Sequence, residues 1–150
     1  RTIRFESSFD YVLLLFTSFG YFDDPGNQQV LETAAAALKP GGYFVFDVPN
    51  RDTYLKNIFP YFVLDKEGNL MIDRNSFDTA TGFWHNKRIV IRNGIRKDKP
   101  FSIRLYNPSE ISERLNRAGL EVSQMYSDWE GKPLGGEARR MIIVAQKNKP

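Results

Sequence analysis

The sequence contains no cysteine, and His85 is the single histidine among its 150 residues. Without cysteine the chain can form neither a disulfide framework nor a thiol site. One histidine, without cysteine or a repeated carboxylate motif beside it, gives no metal-ligand pattern. No nucleophile and base are paired in the way that a covalent hydrolase requires. The sequence therefore gives no support to the disulfide-rich, metal-binding and covalent-hydrolase classes.

Long apolar runs are also missing. No run approaches the roughly 20 apolar residues that a membrane-spanning helix needs, and no signal-peptide pattern opens the printed sequence. A content of 41% hydrophobic and 26% charged residues is ordinary for a globular protein. A chain of this length suits one domain with a sizeable core. We therefore expect a cytoplasmic protein that does not associate with membranes.

Residues 9–50 have the pattern of a strand, a helix and a second strand. Tyr11–Phe16 is a continuous apolar run, which is typical of a strand buried on both faces of a parallel sheet. Gln28–Lys39 has apolar residues at helical spacing, and the Pro-Gly-Gly of residues 40–42 predicts its end. Tyr43–Val48 predicts the second strand. The fold class is therefore α/β.

Polar and aromatic residues follow both predicted strands. In open α/β sheets, ligands bind beyond the carboxyl ends of the strands. Residues 17–21 and 47–51 should therefore lie side by side at the lip of one crevice. Asp47 is a candidate for substrate orientation or proton acceptance there, with capping of the turn at Asn50 as the alternative.

The pattern changes after Asn50. Asn93-Gly94 is the strongest hairpin signal in the chain, and Asn107, Pro108 and Glu110 predict a capping box. The further predicted elements are a short helix at 52–58, antiparallel strands within 61–106, a helix from Asn107 to Gly119, and strands at 120–126 and 140–146.

A basic ribbon spans Lys87–Arg104, where seven basic residues and one acidic residue give a local net charge of +6. The ribbon is typical of a solvated face of an antiparallel sheet, where Lys and Arg discourage edge pairing. It would also suit a nucleic-acid partner. Few aromatic residues are available in it for base stacking, so we regard nucleic acid as the weaker interpretation.

Several segments together resemble one protein family. They are FDYVLLLFTSFGYF at 9–22, LKPGGYFVFDVPNR at 38–51, LYNPSEISERLNRAGLEV at 105–122 and RRMIIVAQK at 139–147. In this order they resemble the class I S-adenosylmethionine (SAM)-dependent methyltransferases that act on small molecules. The resemblance covers nearly the whole chain and implies SAM as the cofactor.

The resemblance implies a partial Rossmann-like sheet that holds strands four to seven of the family. The core would comprise residues 1–56 and 107–150, and residues 57–106 would form an inserted antiparallel β-sheet. The implied strand order is 10–16, 42–48, 140–147 and 120–127, with the strand at 140–147 antiparallel.

The glycine-rich motif G-x-G-x-x-G, which anchors SAM in the family, occurs nowhere in the sequence. The chain is therefore expected to be the carboxyl-terminal portion of a methyltransferase, truncated or one half of a split protein. Alone it should bind SAM poorly and be inactive. The strand at 10–16 would lack a neighbour, so we expect self-association, as in a dimer, or pairing with an amino-terminal half.

The resemblance also assigns site residues. The residues implied to border SAM are Arg1, Thr2, Phe16, Thr17 and Phe19. Those on the substrate side are Ser18, Gly20, Tyr21, Asn50 and Arg51. The catalytic candidates are Asp47, His85 and Tyr106. For the loop at 16–21 the alternative is packing by its own aromatic rings, and for His85 it is a surface or packing role. A non-catalytic assembly module remains the rival function.

Overall fold

The computed structural model describes residues 5–149, which form two four-stranded sheets and three helices. In chain order the elements are β1 (Phe9–Leu14), α1 (Asp24–Ala37), β2 (Leu38–Pro49), α2 (Arg51–Lys56), β3 (Tyr61–Lys66), β4 (Asn69–Asp78), β5 (Phe83–Arg92), β6 (Ile95–Arg104), α3 (Pro108–Arg117), β7 (Leu120–Tyr126) and β8 (Arg140–Lys147). None of the helices in these residues is both long enough and apolar enough to cross a membrane. Arg1 and Thr2 lie outside the described residues.

The first sheet has the strand order β1-β2-β8-β7. β1 is parallel to β2, and β8 is antiparallel to both of its neighbours. The predicted strand order and the predicted direction of β8 are therefore confirmed. The carboxyl ends of β1 and β2 and the amino end of β8 meet at one edge of the sheet, where residues from three strands converge.

The ends of β1 and β2 differ from the prediction. β1 ends at Leu14 rather than at Phe16. Phe16 and Thr17 have φ angles of 61° and 56°, in the left-handed region that a strand does not use. β2 begins at Leu38, five residues before the predicted Tyr43. The loop after β1 therefore begins two residues earlier than the apolar run suggested.

The first helix also begins earlier than predicted. α1 starts at Asp24, four residues before Gln28, and ends at Ala37. Asp23 caps the helix, because its Oδ1 accepts a hydrogen bond from the N–H of Gly26 at 2.9 Å. The cap satisfies one of the free N–H groups of the first turn.

The main core lies between the first sheet and the helices α1 and α3. Phe44 and Phe46 stack with their ring centroids 4.7 Å apart. Other side chains buried in this core are Leu31, Ala34, Ala35, Leu38, Ile111, Leu115 and Ile143. The apolar stripe of α1 is therefore buried against the sheet, as its helical period predicts.

The second sheet is antiparallel and follows sequence order, β3-β4-β5-β6. Asn93 and Gly94 connect β5 to β6 with φ angles of 51° and 74°. Two successive left-handed residues make the hairpin turn whose twist matches the flanking strands. The predicted hairpin is confirmed.

The capping box of α3 is also confirmed. Asn107 Oδ1 accepts from the N–H of Glu110 at 2.9 Å, and Glu110 Oε2 accepts from the N–H of Asn107 at 2.9 Å. Pro108 occupies the first turn, where a missing N–H costs nothing. Ile111 and Leu115 are the fully buried residues of this helix.

One edge of β1 has no strand beside it among residues 5–149. Tyr11 and Leu13 on β1 are 65% and 59% exposed. β3 is likewise an edge strand, exposed along its whole length. The apolar exposure expected at β1 is therefore present, and the partner that pairs with it remains a prediction.

Candidate active site

The loop after β1 meets the end of β2 at Asp47. This residue is fully buried, and its Oδ2 accepts from the backbone N–H of Thr17 at 3.2 Å and from Thr17 Oγ1 at 3.4 Å. Its Oδ1 is buried without a hydrogen-bond partner in the part of the chain that the structure describes. Burial of a carboxylate oxygen without a partner is energetically costly. The predicted contact between the two segments is confirmed at Thr17 and Asp47.

Arg140 adds a positive charge beside Asp47. Its Nε lies 3.6 Å from Asp47 Oδ2, and 47% of its side chain is exposed. Because β8 is antiparallel to β2, its first residue pairs with Pro49 near the carboxyl end of β2. Arg140 also lines a neighbouring cavity, and it therefore connects this cavity with the Asp47 carboxylate.

A cavity of about 360 Å³ opens between this edge of the first sheet and the second sheet. Its volume suits a small organic ligand. The residues that line it are Pro49, Tyr54, Asn57, Ile58, Phe59, Phe62, Asp73, Asn75, Trp84, Arg139 and Arg140. Four of these side chains are aromatic, so most of the wall is apolar, with a few polar groups at fixed positions.

Hydrogen bonds hold the polar floor of this cavity. Arg88 donates to both carboxylate oxygens of Asp73, at 2.7 and 2.8 Å. Asn75 Oδ1 accepts from Trp84 Nε1 and Asn86 Nδ2, each at 2.9 Å. The hydrogen bonds from Arg88, opposed by burial, hold the pKa of Asp73 below its usual value. The floor is therefore pre-oriented and carries an ionised carboxylate at neutral pH.

Tyr54 forms part of the wall above this floor. Its ring centroid lies 4.9 Å from that of Trp84. Burial, followed by the negative charge of Asp73, raises the pKa of Tyr54 to about 12. The phenol is therefore neutral at physiological pH and keeps a proton that it can donate to a ligand.

Acid should destabilise the protein through Asp73. The folded pKa lies below the unfolded value of 3.8, so the stabilisation is complete above that value and is lost as the pH falls through the folded pKa. Urea unfolding at about pH 5 and about pH 3 measures this loss. Asp73→Asn should lose less stability over the same interval. Equal losses in the two proteins would assign the acid sensitivity to other carboxylates, such as Glu110.

Tyr106 lies in the core and not in the cavity. It is 1% exposed, its hydroxyl donates to Asp24 Oδ1 at 2.8 Å, and the hydroxyl accepts from Asn27 Nδ2 at 3.0 Å. Burial, followed by the hydrogen bond to Asp24, raises the pKa of Tyr106 well above its usual value. The guanidinium groups of Arg104 and Arg114 cover its ring at 4.5 and 5.1 Å. The predicted catalytic role of Tyr106 has no support in this geometry.

His85 lies on the face of β5 opposite to Trp84, because neighbouring residues of a strand point to opposite faces. Its side chain is exposed, and its Nδ1 lies 2.7 Å from Ser102 Oγ. Its ring stacks on that of Phe83, with the centroids 6.0 Å apart. This position fits the alternative surface role of His85, and its catalytic role remains a prediction.

The three substrate-side residues of the first loop have different surroundings. Ser18 Oγ donates to the carbonyl of Leu15 at 2.6 Å, and Tyr21 is 51% exposed. Gly20 has a φ of 99°, and a Cβ there would lie 2.7 Å from the carbonyl oxygen of Arg104. Gly20 therefore serves close backbone packing, while Ser18 and Tyr21 stay at the surface of the loop.

Asn50 and Arg51 are occupied by internal contacts. Asn50 caps α2, and its Nδ2 donates to the carbonyl of Ala138 at 3.1 Å. Arg51 Nη1 lies 3.2 Å from Glu110 Oε1, and its guanidinium lies 5.6 Å from the ring of Phe77. Both residues hold the elements around the crevice together, and their predicted substrate contacts find no support in these interactions.

The two aromatic residues predicted to border the cofactor are placed differently. Phe16 is 89% exposed at the tip of the loop. Phe19 is 2% exposed, and its ring centroid lies 5.4 Å from that of Phe46. Phe16 is free to cover a ligand, whereas Phe19 supports the loop from within the core.

Sequence reasoning missed the residues that α2 and the second sheet contribute to the cavity. Tyr54 comes from α2, Asp73 and Asn75 from β4, and Trp84 from β5. No spacing in the sequence connects them. The one available signal is the alternation in β5, which places Trp84 opposite to exposed His85.

Solved structures with this fold are known. The CcbJ methyltransferase from Streptomyces caelestis matches with 19% identity and a TM-score of 0.86, covering 99% of this chain and 61% of that one. A SAM-dependent methyltransferase from Clostridium acetobutylicum matches with 18% identity and a TM-score of 0.86, over 98% of this chain and 61% of that one. The sugar N-methyltransferase KedS8 from a Streptoalloteichus species matches with 18% identity and a TM-score of 0.71, over 99% and 60%. The chain thus spans about three fifths of the length of each.

The sequence itself matches no protein-family model and no curated protein. The structural matches define the class of fold. The chain has the mixed α/β fold of SAM-dependent methyltransferases, with a second antiparallel sheet.

Proposed function

We propose that this chain is the substrate side, and one wall of the SAM pocket, of a methyltransferase that acts on a small molecule. One observation carries the proposal. Thr17, in the loop after β1, contacts Asp47 near the carboxyl end of the adjacent parallel strand β2, and Arg140 links Asp47 to a cavity of small-molecule size, in a chain with a methyltransferase-like fold. Ligands of open α/β sheets bind at this edge.

The residues of the first loop suit one side of SAM. Bound SAM supplies an electrophilic methyl group on a positively charged sulfur. The exposed ring of Phe16 offers an aromatic face to such a cation, and the left-handed backbone at Thr17 turns the loop toward Asp47. Arg1 and Thr2 remain predictions for the same pocket, and Phe19 supports it from behind.

The cavity beside Asp47 suits the methyl acceptor. We infer that Asp47 Oδ1, which is buried in this structure, becomes accessible when Thr17 moves aside; it then accepts a hydrogen bond from the reacting N–H or O–H group and takes its proton as the new bond forms. Tyr54 and Trp84 would align the body of the acceptor. KedS8 is a sugar N-methyltransferase, so an amine of a sugar-sized molecule is the first acceptor to test.

We further propose the division of the chain that the resemblance implies. Residues 1–56 and 107–150 would be the methyltransferase core, with residues 57–106 inserted as the second sheet. The free edge of β1 would pair with an amino-terminal half that carries the glycine-rich turn. A cytoplasmic location remains a prediction.

Restoring the amino-terminal half should restore cofactor binding. The 150-residue chain alone should bind S-adenosylhomocysteine too weakly for calorimetric detection, because its sequence has no glycine-rich anchor. A fusion with the part of CcbJ that the alignment leaves uncovered should bind with about micromolar affinity and transfer tritiated methyl groups to amino sugars.

The uncovered CcbJ segment alone is the matched control. Micromolar affinity for the unfused chain would contradict the incomplete pocket. A fusion that folds by circular dichroism but neither binds S-adenosylhomocysteine nor transfers methyl groups would contradict the enzyme and favour the assembly module.

A further inference from the structure

The basic ribbon at 87–104 divides into paired and unpaired groups. Three of its arginines face acidic side chains within the chain: Arg88 with Asp73, Arg96 with Asp98, and Arg104 with Asp24 and Glu110. Its remaining basic residues are Lys87, Arg92, Lys97 and Lys99, and none of them forms a salt bridge within residues 5–149. The effective positive charge is therefore concentrated at fewer positions than the sequence suggests.

Three of these unpaired residues surround a second, open groove of about 800 Å³ on the outer part of the second sheet. Lys66 of β3 joins them, while Glu67 is the one acidic residue among those that line the groove. The floor is apolar and includes Leu64, Met71 and Val90. A groove with an apolar floor and a cationic rim suits a ligand with an apolar body and an anionic end.

The groove and the cavity beside Asp47 lie on the same face of the second sheet. Phe62 pairs with Asp73, and both line the cavity. Two residues further along the same face, Leu64 pairs with Met71, and both line the groove. Two residues span about 7 Å along a strand, so the two sites are neighbours.

Two lysines of the groove, Lys97 and Lys99 on β6, also lie near the cavity. Arg88, which holds Asp73, pairs with Lys99, and Val90 pairs with Lys97. Neighbouring strands are about 5 Å apart, so Lys99 lies two strands, or about 10 Å, from Asp73. A ligand in the cavity therefore needs a reach of only about 10 Å to place an anion over the lysines.

We propose that this groove binds the anionic end of the methyl acceptor, a phosphate-class oxyanion on an apolar linker whose other end occupies the cavity. The assignment as acceptor rests on the proposed function, whereas the anion site itself does not. Compact ammonium groups on flexible stems suit an oxyanion. The excess of positive charge on the rim disfavours a second copy of this face as the occupant, because like charges would oppose each other.

The test uses 1-naphthyl phosphate as the probe and the 150-residue chain without SAM. Titration followed by fluorescence should show saturable binding, with 1-naphthol and inorganic phosphate each binding more weakly. Lys97→Ser with Lys99→Ser should weaken binding roughly tenfold or more, the effect of about 1.4 kcal/mol. Lys87→Ser with Lys132→Ser removes the same charge from the opposite face of β5 and from a loop, and should change the affinity little.

Methyl resonances give the position of the probe. The signals of Met71 and Val90 should shift on titration, whereas those of Ile72 and Ile89, on the opposite face, should not. Equal weakening in the two double variants, or shifts on both faces, would overturn the proposal. So would displacement of the probe by an oligonucleotide of higher affinity, or a dimer in sedimentation that grows when Lys97 and Lys99 are removed.

Because the probe is titrated without SAM, the anion site and the methyltransferase are tested separately. Probe binding with an inactive fusion would leave the anion site standing and remove the acceptor assignment. In an active fusion, the same two lysine substitutions should raise KM for a phosphorylated acceptor and leave kcat unchanged, because they act on binding far from the transferred methyl group.

Discussion

Replacing Tyr106 with alanine should lower the free energy of unfolding by roughly 3 to 5 kcal/mol, the range for truncating a large buried aromatic residue. The side chain is 1% exposed, and its ring centroid lies 5.8 Å from that of Phe19. Its loss would also remove the hydroxyl that Asn27 and Asp24 share. A loss of this size approaches the total stability of many domains. Urea unfolding followed by circular dichroism measures it.

Tyr106→Phe is the matched control because it keeps the ring and removes only the hydroxyl. It should cost about 1 to 2 kcal/mol, since one buried amide hydrogen loses its partner. In the active fusion its methyl-transfer rate should remain near that of the unchanged protein. A stable Phe variant with no activity would show instead that the hydroxyl takes part in the reaction.

Asp47→Asn should lower the methyl-transfer rate of the fusion by roughly 100-fold or more, the usual contribution of a positioned general base. The amide keeps the size of the carboxylate and can still accept from Thr17, but it has no negative charge to take a proton. The buried, unpartnered Oδ1 is the atom on which this expectation depends. Single-turnover transfer of tritiated methyl groups measures the rate.

Thr17→Val separates proton acceptance from loop positioning. It removes the 3.4 Å hydroxyl contact to Asp47 and keeps the backbone contact at 3.2 Å, so it should reduce the rate only a few-fold. S-adenosylhomocysteine affinity should be similar in both variants. If Asp47→Asn lost affinity and rate in the same proportion, Asp47 would be a positioning residue for the loop.

The sequence predicted the fold well where neighbouring residues determine the local structure. The Asn93-Gly94 turn and the box of Asn107 with Glu110 depend on neighbours in the chain, and the structure has them as predicted. The end of β1 depends on where the backbone of Phe16 turns left-handed to meet Asp47, thirty residues away from Thr17. The continuous apolar run at 11–16 does not indicate that turn.

The site was harder to predict for the same reason. The resemblance assigns a catalytic role to Tyr106, but its hydroxyl is hydrogen-bonded to Asp24 and Asn27. These partners lie about eighty residues earlier in the chain, so the sequence does not connect them with Tyr106. Trp84 has no motif around it, yet it joins Asn75 and Asn86 in the cavity floor. The contact of Asp47 with the first loop was predictable, because the carboxyl ends of adjacent parallel strands meet at one edge of a sheet.

The junction at Arg104 joins the second sheet to the first loop before any ligand arrives. Its backbone N–H donates to the carbonyl of Gly20 at 2.8 Å, and its guanidinium pairs with Asp24 at 3.2 Å and with Glu110 at 3.3 Å. The end of the second sheet is thereby fastened to the first loop and to the starts of both long helices. The conformational entropy of these joined segments is given up during folding, so less of it is lost when a ligand binds.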